Sequence, residues 1–232
     1  MNLRALIPTP IKLKLRLCER FFNDRNIKFA QVVFQKSTFP YSISTTQQIM
    51  PGTFFDNKVH NLKTGSVKIA AVQIQPNQVF SFWKIIGNPN HRNQFKKGRN
   101  IVKGNVSEEL GGGLCQLSSI IYITALKANL KITERHNHSI DIYKEDERFT
   151  PLGADATVVY GYKDLRFINN NPFSIQFSFL FFENQIICNL ESIEKITEND
   201  LAFNRIYKEN HIEVETTINS KFHCFSNYKI MA

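Results

Sequence analysis

Cys115 opens the strongest helical pattern in the chain. Leu117, Ile120, Ile121, Thr124, Ala125 and Ala128 fall at i, i+3, i+4, i+7, i+8 and i+11, one face of a helix that runs to about Asn129. The other face carries Ile123 and Leu126 and is also apolar. A helix that is apolar around most of its circumference has to be covered on several sides. The material for that cover lies downstream. HSIDIY (138–143), TPLGADATVVYGY (150–162), DLRFINN (164–170), SIQFSFLFF (174–182) and IICNLESI (186–193) are rich in Phe, Ile and Val and are separated by turn residues. A buried helix followed by a run of strands predicts an α+β fold, in which the helix, opened by a glycine-rich turn, packs on a mostly antiparallel sheet.

The remaining segments are weaker. IKLKLRL (Ile11–Leu17) alternates apolar and basic side chains, which predicts a strand with one wet face or an extended surface arm. VKIAAVQI (Val67–Ile74) reads as the end of a helix or a buried strand, and Pro76-Asn77 as a turn. Gly87–Asn100 reads as a loop whose Arg92, Lys96, Lys97 and Arg99 form a positive face. The last 35 or so residues read as a short extra strand or a mobile tail. This organisation predicts a basic arm or subdomain over 1–60, a core domain over 61–191 and a C-terminal extension over 192–232 that can belong to the same fold.

Charge narrows the choice of partners. Residues 1–110 carry 17 Lys and Arg against 5 Asp and Glu, whereas residues 111–232 carry 12 against 15. A basic first half favours an anionic partner. The basic residues are spread out and no nucleic-acid-binding motif accompanies them, so nucleic acid is not expected. No apolar run approaches the roughly 18 residues of a membrane span. The start is broken by Pro8 and Pro10 and lacks an apolar core, so no signal peptide is expected. A cytoplasmic protein follows, with peripheral contact at the inner membrane face as the alternative.

The chemistry concentrates at GGGLCQLSS (Gly111–Ser119). Glycines before a helix let the backbone turn tightly. The helix N-terminus leaves free N–H donors and a partial positive charge. A thiol placed there has its thiolate favoured, and the same N–H groups can hold an oxyanion. Two other readings stay open: Cys115 as a small packed apolar residue, and an anion site made by the glycine turn. Cys18, Cys188 and Cys224 show no paired spacing.

A nucleophile needs a base, and the base an orienting acceptor. ERHNHSID supplies His136 and His138, two apart and on one face of the expected strand. The order Cys115, His138, Asp155 is similar to that of transglutaminase-like thiol enzymes, an analogy of order alone. Asp141 and Asp164 compete for the orienting role. Zinc held by Cys115, His136 and His138 is a further reading, without an evident fourth ligand; no cofactor is expected.

These blocks together resemble the VanW family. QVFSFWKIIGNP, EELGGGLCQLSSIIY, ERHNHS and PLGADATVVYGYKDLRFIN occur in the family's order over about residues 60–180. The resemblance singles out Gly111, Gly112, Gly113, Cys115, Gln116, Ser118, Glu134, Arg135, His138, Ser139, Gly153, Asp155 and Asp164, and it prefers His138 to His136. It implies a link to glycopeptide resistance or cell-envelope biology and names no reaction. Three functions follow. The first is an enzyme in which Cys115, His138 and Asp155 carry acyl or amide transfer or hydrolysis on an anionic, envelope-related substrate such as a peptidoglycan precursor. The second is an anion- or ligand-binding module using Gly111, Gly112, Gly113, Gln116, Ser118 and Arg135. The third is a structural or regulatory envelope-stress protein.

Overall fold

The structure is a computed structural model and describes residues 7–33, 38–91, 93–102, 105–141 and 148–230. In chain order its first half comprises α1 (Thr9–Asn23), β1 (Gln31–Val32), β2 (Tyr41–Gln48), α2 (Phe55–Ala70), β3 (Val72–Ile74), β4 (Val79–Ser81), α3 (Phe82–Ile86), β5 (Lys97–Val102) and β6 (Asn105–Leu110). The second half comprises α4 (Leu114–Lys127), β7 (Lys131–Glu134), β8 (Arg166–Ile168), β9 (Ile175–Phe182), β10 (Gln185–Ser192), β11 (Leu201–Tyr207), β12 (His211–Ile218) and β13 (Lys221–Lys229).

The main sheet is antiparallel, in the order β1-β3-β9-β10-β2. Its strands alternate because one face is buried: Ile43, Thr45 and Gln47 of β2 point the same way as Ile186, Cys188 and Leu190 of β10. α4 packs on β2 and β10, and α2 on β9. Leu117, Ile120, Ile121 and Ala125 of α4 are fully buried, as their spacing requires. A second sheet, β4-β8-β7, adds Phe80 and Phe167, whose rings stack at 4.5 Å. The α+β class and the buried helix on antiparallel sheet are thus observed.

Several elements differ from the sequence reading. Ile11–Leu17 lies inside α1, not in a strand. Pro8 caps the helix and Pro10 sits in its first turn, where a missing N–H costs nothing. The alternation hides two helical rows. Leu13 and Leu17, one turn apart, lie on Gly161, where an added Cβ would meet Leu13 at 2.4 Å and φ is +79°. Arg20, one turn further on, donates to both oxygens of Glu134 at 2.7 and 3.0 Å and to the Tyr162 carbonyl at 2.9 Å. Val67–Ile74 is both things at once, the end of α2 and then β3.

The loop ahead of the glycines is shorter than expected, because β5 begins at Lys97 and pairs with β6. Arg92 and the side chain of Arg99 lie outside what the structure describes. Of the expected strand 138–143, the described residues 138–141 form none: β7 ends at Glu134 and Ile140 makes a single bridge to Lys229, while Ile142 and Tyr143 lie outside the described residues. Residues 150–162 form an irregular loop instead of a strand. The C-terminal residues are no loose tail. They form the antiparallel sheet β11-β12-β13, whose Ile212, Val214 and Tyr228 pack with Leu152. β1 and β2, from the basic first segment, are strands of the main sheet. Among the described residues, no helix is long and apolar enough to cross a membrane.

Candidate active site

The glycine turn joins β6 to α4. Gly111 and Gly113 have φ of +89° and +99°, a region closed to most side chains. Gly112 lies against Gly98 of β5, which its own Cα approaches so closely that a Cβ on Gly98 would meet it at 3.0 Å. Asn61 of α2, fully buried, seals this junction by donating to the carbonyls of Gly112 and Lys96, each at 2.9 Å. Gly111 and Gly113 are therefore needed for backbone turning, and the close approach of Gly112 requires glycine at Gly98. With Gly113 as the cap, Cys115 enters the first turn of α4, where its N–H has no helical carbonyl to bond.

The DATV segment (155–158) is laid across the start of α4 and held by backbone contacts. Ser118 Oγ donates to the carbonyls of Cys115 (3.0 Å) and Ala156. Ser119 Oγ donates to the Cys115 carbonyl at 2.6 Å and accepts from the Ala156 N–H at 2.9 Å. Thr157 N–H donates to the His136 carbonyl at 2.7 Å, tying in the histidine loop. Cys115 Sγ lies 3.8 Å from the Val158 carbonyl, which can accept from the thiol form only.

These ties bring Cys115, His138 and Asp155 together. His138 Nδ1 lies 2.5 Å from Asp155 Oδ2, and the His138 backbone N–H donates to the same oxygen at 2.6 Å. Nδ1 is thereby committed to the carboxylate, which leaves Nε2 for the thiol. Asp155 Oδ1 accepts from Tyr228 Oη and, at 3.2 Å, from Arg135 Nη2. Tyr228 in turn accepts from the Gly153 N–H at 3.0 Å.

The charge states follow from these contacts. Burial opposes ionisation of Cys115, but the hydrogen bond and charge of His138 outweigh it and hold the thiol below its ordinary range. Burial also disfavours the imidazolium. The hydrogen bond that His138 donates to Asp155 and the contact with Cys115 prevail, and His138 is pushed up to about 10. Asp155 is held down at about 2: burial works against its charge, and His138, Arg135 and Tyr228 more than offset it. These contacts shift the site toward a thiolate–imidazolium pair on a carboxylate, and Cys115 retains partial solvent access. Cys188, buried with no such partner, is pushed up to about 12.

Of the residues expected to bind a ligand, three turn inward. Gln116 Nε2 donates to the Gln48 carbonyl at 2.7 Å. Ser118 is buried in the tie to Ala156. Arg135 donates from Nε to the Asp155 carbonyl (2.7 Å), from Nη1 to Ser226 Oγ (2.6 Å) and from Nη2 to the Gly153 carbonyl (2.7 Å), and it stacks over Tyr122. It braces Asp155. His136 is held by Glu134 at 3.1 Å and does not share a strand face with His138. Among the described residues, no group of three or more His, Cys, Asp and Glu side chains has the geometry to hold a metal ion. Asp164 is occupied with Ser81, Trp83 and Arg166, and Asp141 with Arg148. Beside His138 and Asp155 runs a cleft lined by Ile140, Phe149, Leu152 and Tyr228.

Sequence reasoning missed Ser119, Ser226 and Tyr228. Ser119 had a signal, a second hydroxyl beside Ser118 in an otherwise apolar helix. Ser226 and Tyr228 had none, because only the fold of the last sheet brings them to Asp155.

Comparison with known proteins places these features. A family described as "VanW like protein" matches residues 57–191. The vancomycin B-type resistance protein VanW of Enterococcus faecalis is 30% identical over 155 residues, 64% of this chain and 56% of that protein. The uncharacterized protein YoaR of Bacillus subtilis is 34% identical over 140 residues, 58% of this chain and 45% of that protein. The chain thus spans about half the length of the curated relatives it matches. No solved structure matches.

Proposed function

The chain belongs to the family of VanW-like proteins, and we propose that it is a cysteine-dependent acyl- or amide-transferring or hydrolysing enzyme with Cys115 as nucleophile and His138 as acid and base. One observation carries this reading: Asp155 holds His138 through Nδ1 while His138 shifts the Cys115 thiol toward its thiolate. The proton of the thiol rests on His138 Nε2. The thiolate attacks a carbonyl carbon, the C–S bond forms, and the carbonyl electron pair moves onto oxygen near the Cys115 N–H. The C–N or C–O bond then breaks as His138 returns its proton to the leaving group. Water or an amine, deprotonated by His138, attacks the thioester, and Cys115 leaves as thiolate.

The name of the E. faecalis relative points to an envelope-related substrate, and the basic first half of the chain suits an anionic one such as a peptidoglycan precursor. The alternative of an anion site at the glycine turn has less support, because Arg135 is committed to Asp155 and Gly112 is packed on Gly98.

The test is acyl-enzyme trapping. A p-nitrophenyl ester should leave one acyl group on Cys115, seen by peptide mass spectrometry and discharged by hydroxylamine, and His138→Ala should acylate at least about tenfold more slowly. Acylation spread evenly over Cys18, Cys115 and Cys224, or unchanged in His138→Ala, contradicts the proposal.

A further inference from the structure

α1 is docked on one face only. Leu13, Leu17 and Arg20 face the body of the protein, on Gly161 and Glu134. On the opposite side of the helix, Ile11, Leu15, Cys18 and Phe22 recur at i, i+4, i+7 and i+11. These residues face away from the protein: Ile11 is 49% exposed, Leu15 57% and Phe22 59%, with Phe21 beside them at 68%. No residue of α1 is buried. A monomer exposing a continuous apolar row along four turns has a surface that something is meant to cover.

The charges around the row say what covers it. Lys14 flanks one side of the row and Lys12 and Arg16 the other, and Arg25 and Lys28 follow in the exposed segment after the helix. Glu19, the acidic residue on this face, is paired with Arg16 at 2.7 Å. Apolar side chains bordered by cations on both flanks are the make-up of a helix that lies in the plane of a bilayer interface, with its apolar row among the acyl chains and its cations at anionic headgroups. A second copy of the chain would have to bring Lys12, Lys14, Arg25 and Lys28 against the same four cations, a repulsive arrangement.

We propose that α1 is an interfacial helix that docks the protein on an anionic phospholipid surface through Ile11, Leu15, Phe21 and Phe22, with Lys12, Lys14, Arg25 and Lys28 at the headgroups. The docking is independent of the chemistry at Cys115. The same helix packs on the loop of Gly161 and Tyr162 and on Glu134, so a docked protein would hold the candidate site close to the membrane.

The experiment is co-sedimentation of the full chain with vesicles of phosphatidylcholine alone or rich in phosphatidylglycerol. Binding should be about tenfold or more stronger to the anionic vesicles and should weaken as salt is raised. Leu15→Glu/Phe22→Glu should abolish it, and Lys12→Glu/Lys14→Glu should reduce it, with thermal unfolding of both variants close to that of the wild type because none of these residues is buried. Cys115→Ser should bind as the wild type does, which separates this proposal from the catalytic one. Failure to bind anionic vesicles, equal binding to neutral ones, or binding that survives Leu15→Glu/Phe22→Glu overturns it. So does a dimer in solution that these two substitutions convert to monomer while vesicles bind neither form.

Discussion

His138 and Cys115 set the pH behaviour of this protein, and the signs can be worked group by group. His138 has its pKa raised from 6.5 to about 10, so its contribution to stability is complete below 6.5 and is lost as pH rises through about 10. Cys115 has its pKa lowered from 9.0, so its contribution is complete above 9.0 and is lost as pH falls through the depressed value. Both partners are charged between the depressed Cys115 value and about 10, so the pair's effect is largest inside that interval and is lost on both sides. Wild type and His138→Gln, compared by thermal unfolding across pH, should differ most in that interval. A difference that is flat from acid to alkali would show that thiolate and imidazolium do not coexist. At this scale the sequence was informative. Cys115 at a helix start could be read from residue type and position, whereas His138 was preferred to His136 through the family resemblance and Asp155 kept Asp141 and Asp164 as competitors. Arg135 could not be placed, because its role depends on what Gly153, Asp155 and Ser226 present to it once folded.

Among the elements, α4 was legible because its period is unambiguous and burial on all sides needs no partner to be guessed. α1 was not. Apolar residues at every second position fit a strand, but at 100° per residue the same four leucines and isoleucines split into a docked row and an exposed row. Docking on Gly161 and Glu134, far away in sequence, decided between them. The segment 150–162 misled for a related reason: its β-branched residues serve a loop whose hydrogen bonds go to α4 and to the histidine loop, and of 138–143 the described residues meet β13 only around the bridge from Ile140 to Lys229. One tie between α4 and that loop is Ser119. Ser119→Ala leaves the Ala156 N–H without its acceptor, at a cost of about 1–3 kcal/mol. Urea unfolding should show that loss. The alkylation rate of Cys115 near neutrality should fall with it, since Asp155 is then less firmly placed, and an unchanged rate would mean that the loop is positioned without the serine.

At the scale of the whole molecule, the site is assembled from parts that no single segment announces. The family match ends at residue 191, yet Ser226 and Tyr228, on the last strand, complete the shell around Arg135 and Asp155. β1 and β2 from the basic first segment close the main sheet, and α1 grips the same loop from outside. The antiparallel class could be foreseen from strand spacing, whereas the joining of the C-terminal sheet to the site could not, because the apolar residues its polar strands bury are few, Ile212, Val214 and Tyr228. All of these parts converge on one claim, that Cys115 rests as a thiolate paired with His138. The most direct test is the pH dependence of iodoacetamide labelling, read cysteine by cysteine by mass spectrometry, with Cys18, Cys188 and Cys224 as internal controls and His138→Ala beside the wild type. The account predicts that Cys115 alone labels fast below pH ~7, well under the unperturbed thiol value of ~8.5, and that this advantage disappears in His138→Ala. A Cys115 that labels like exposed Cys18, or whose profile His138→Ala does not move, would contradict it.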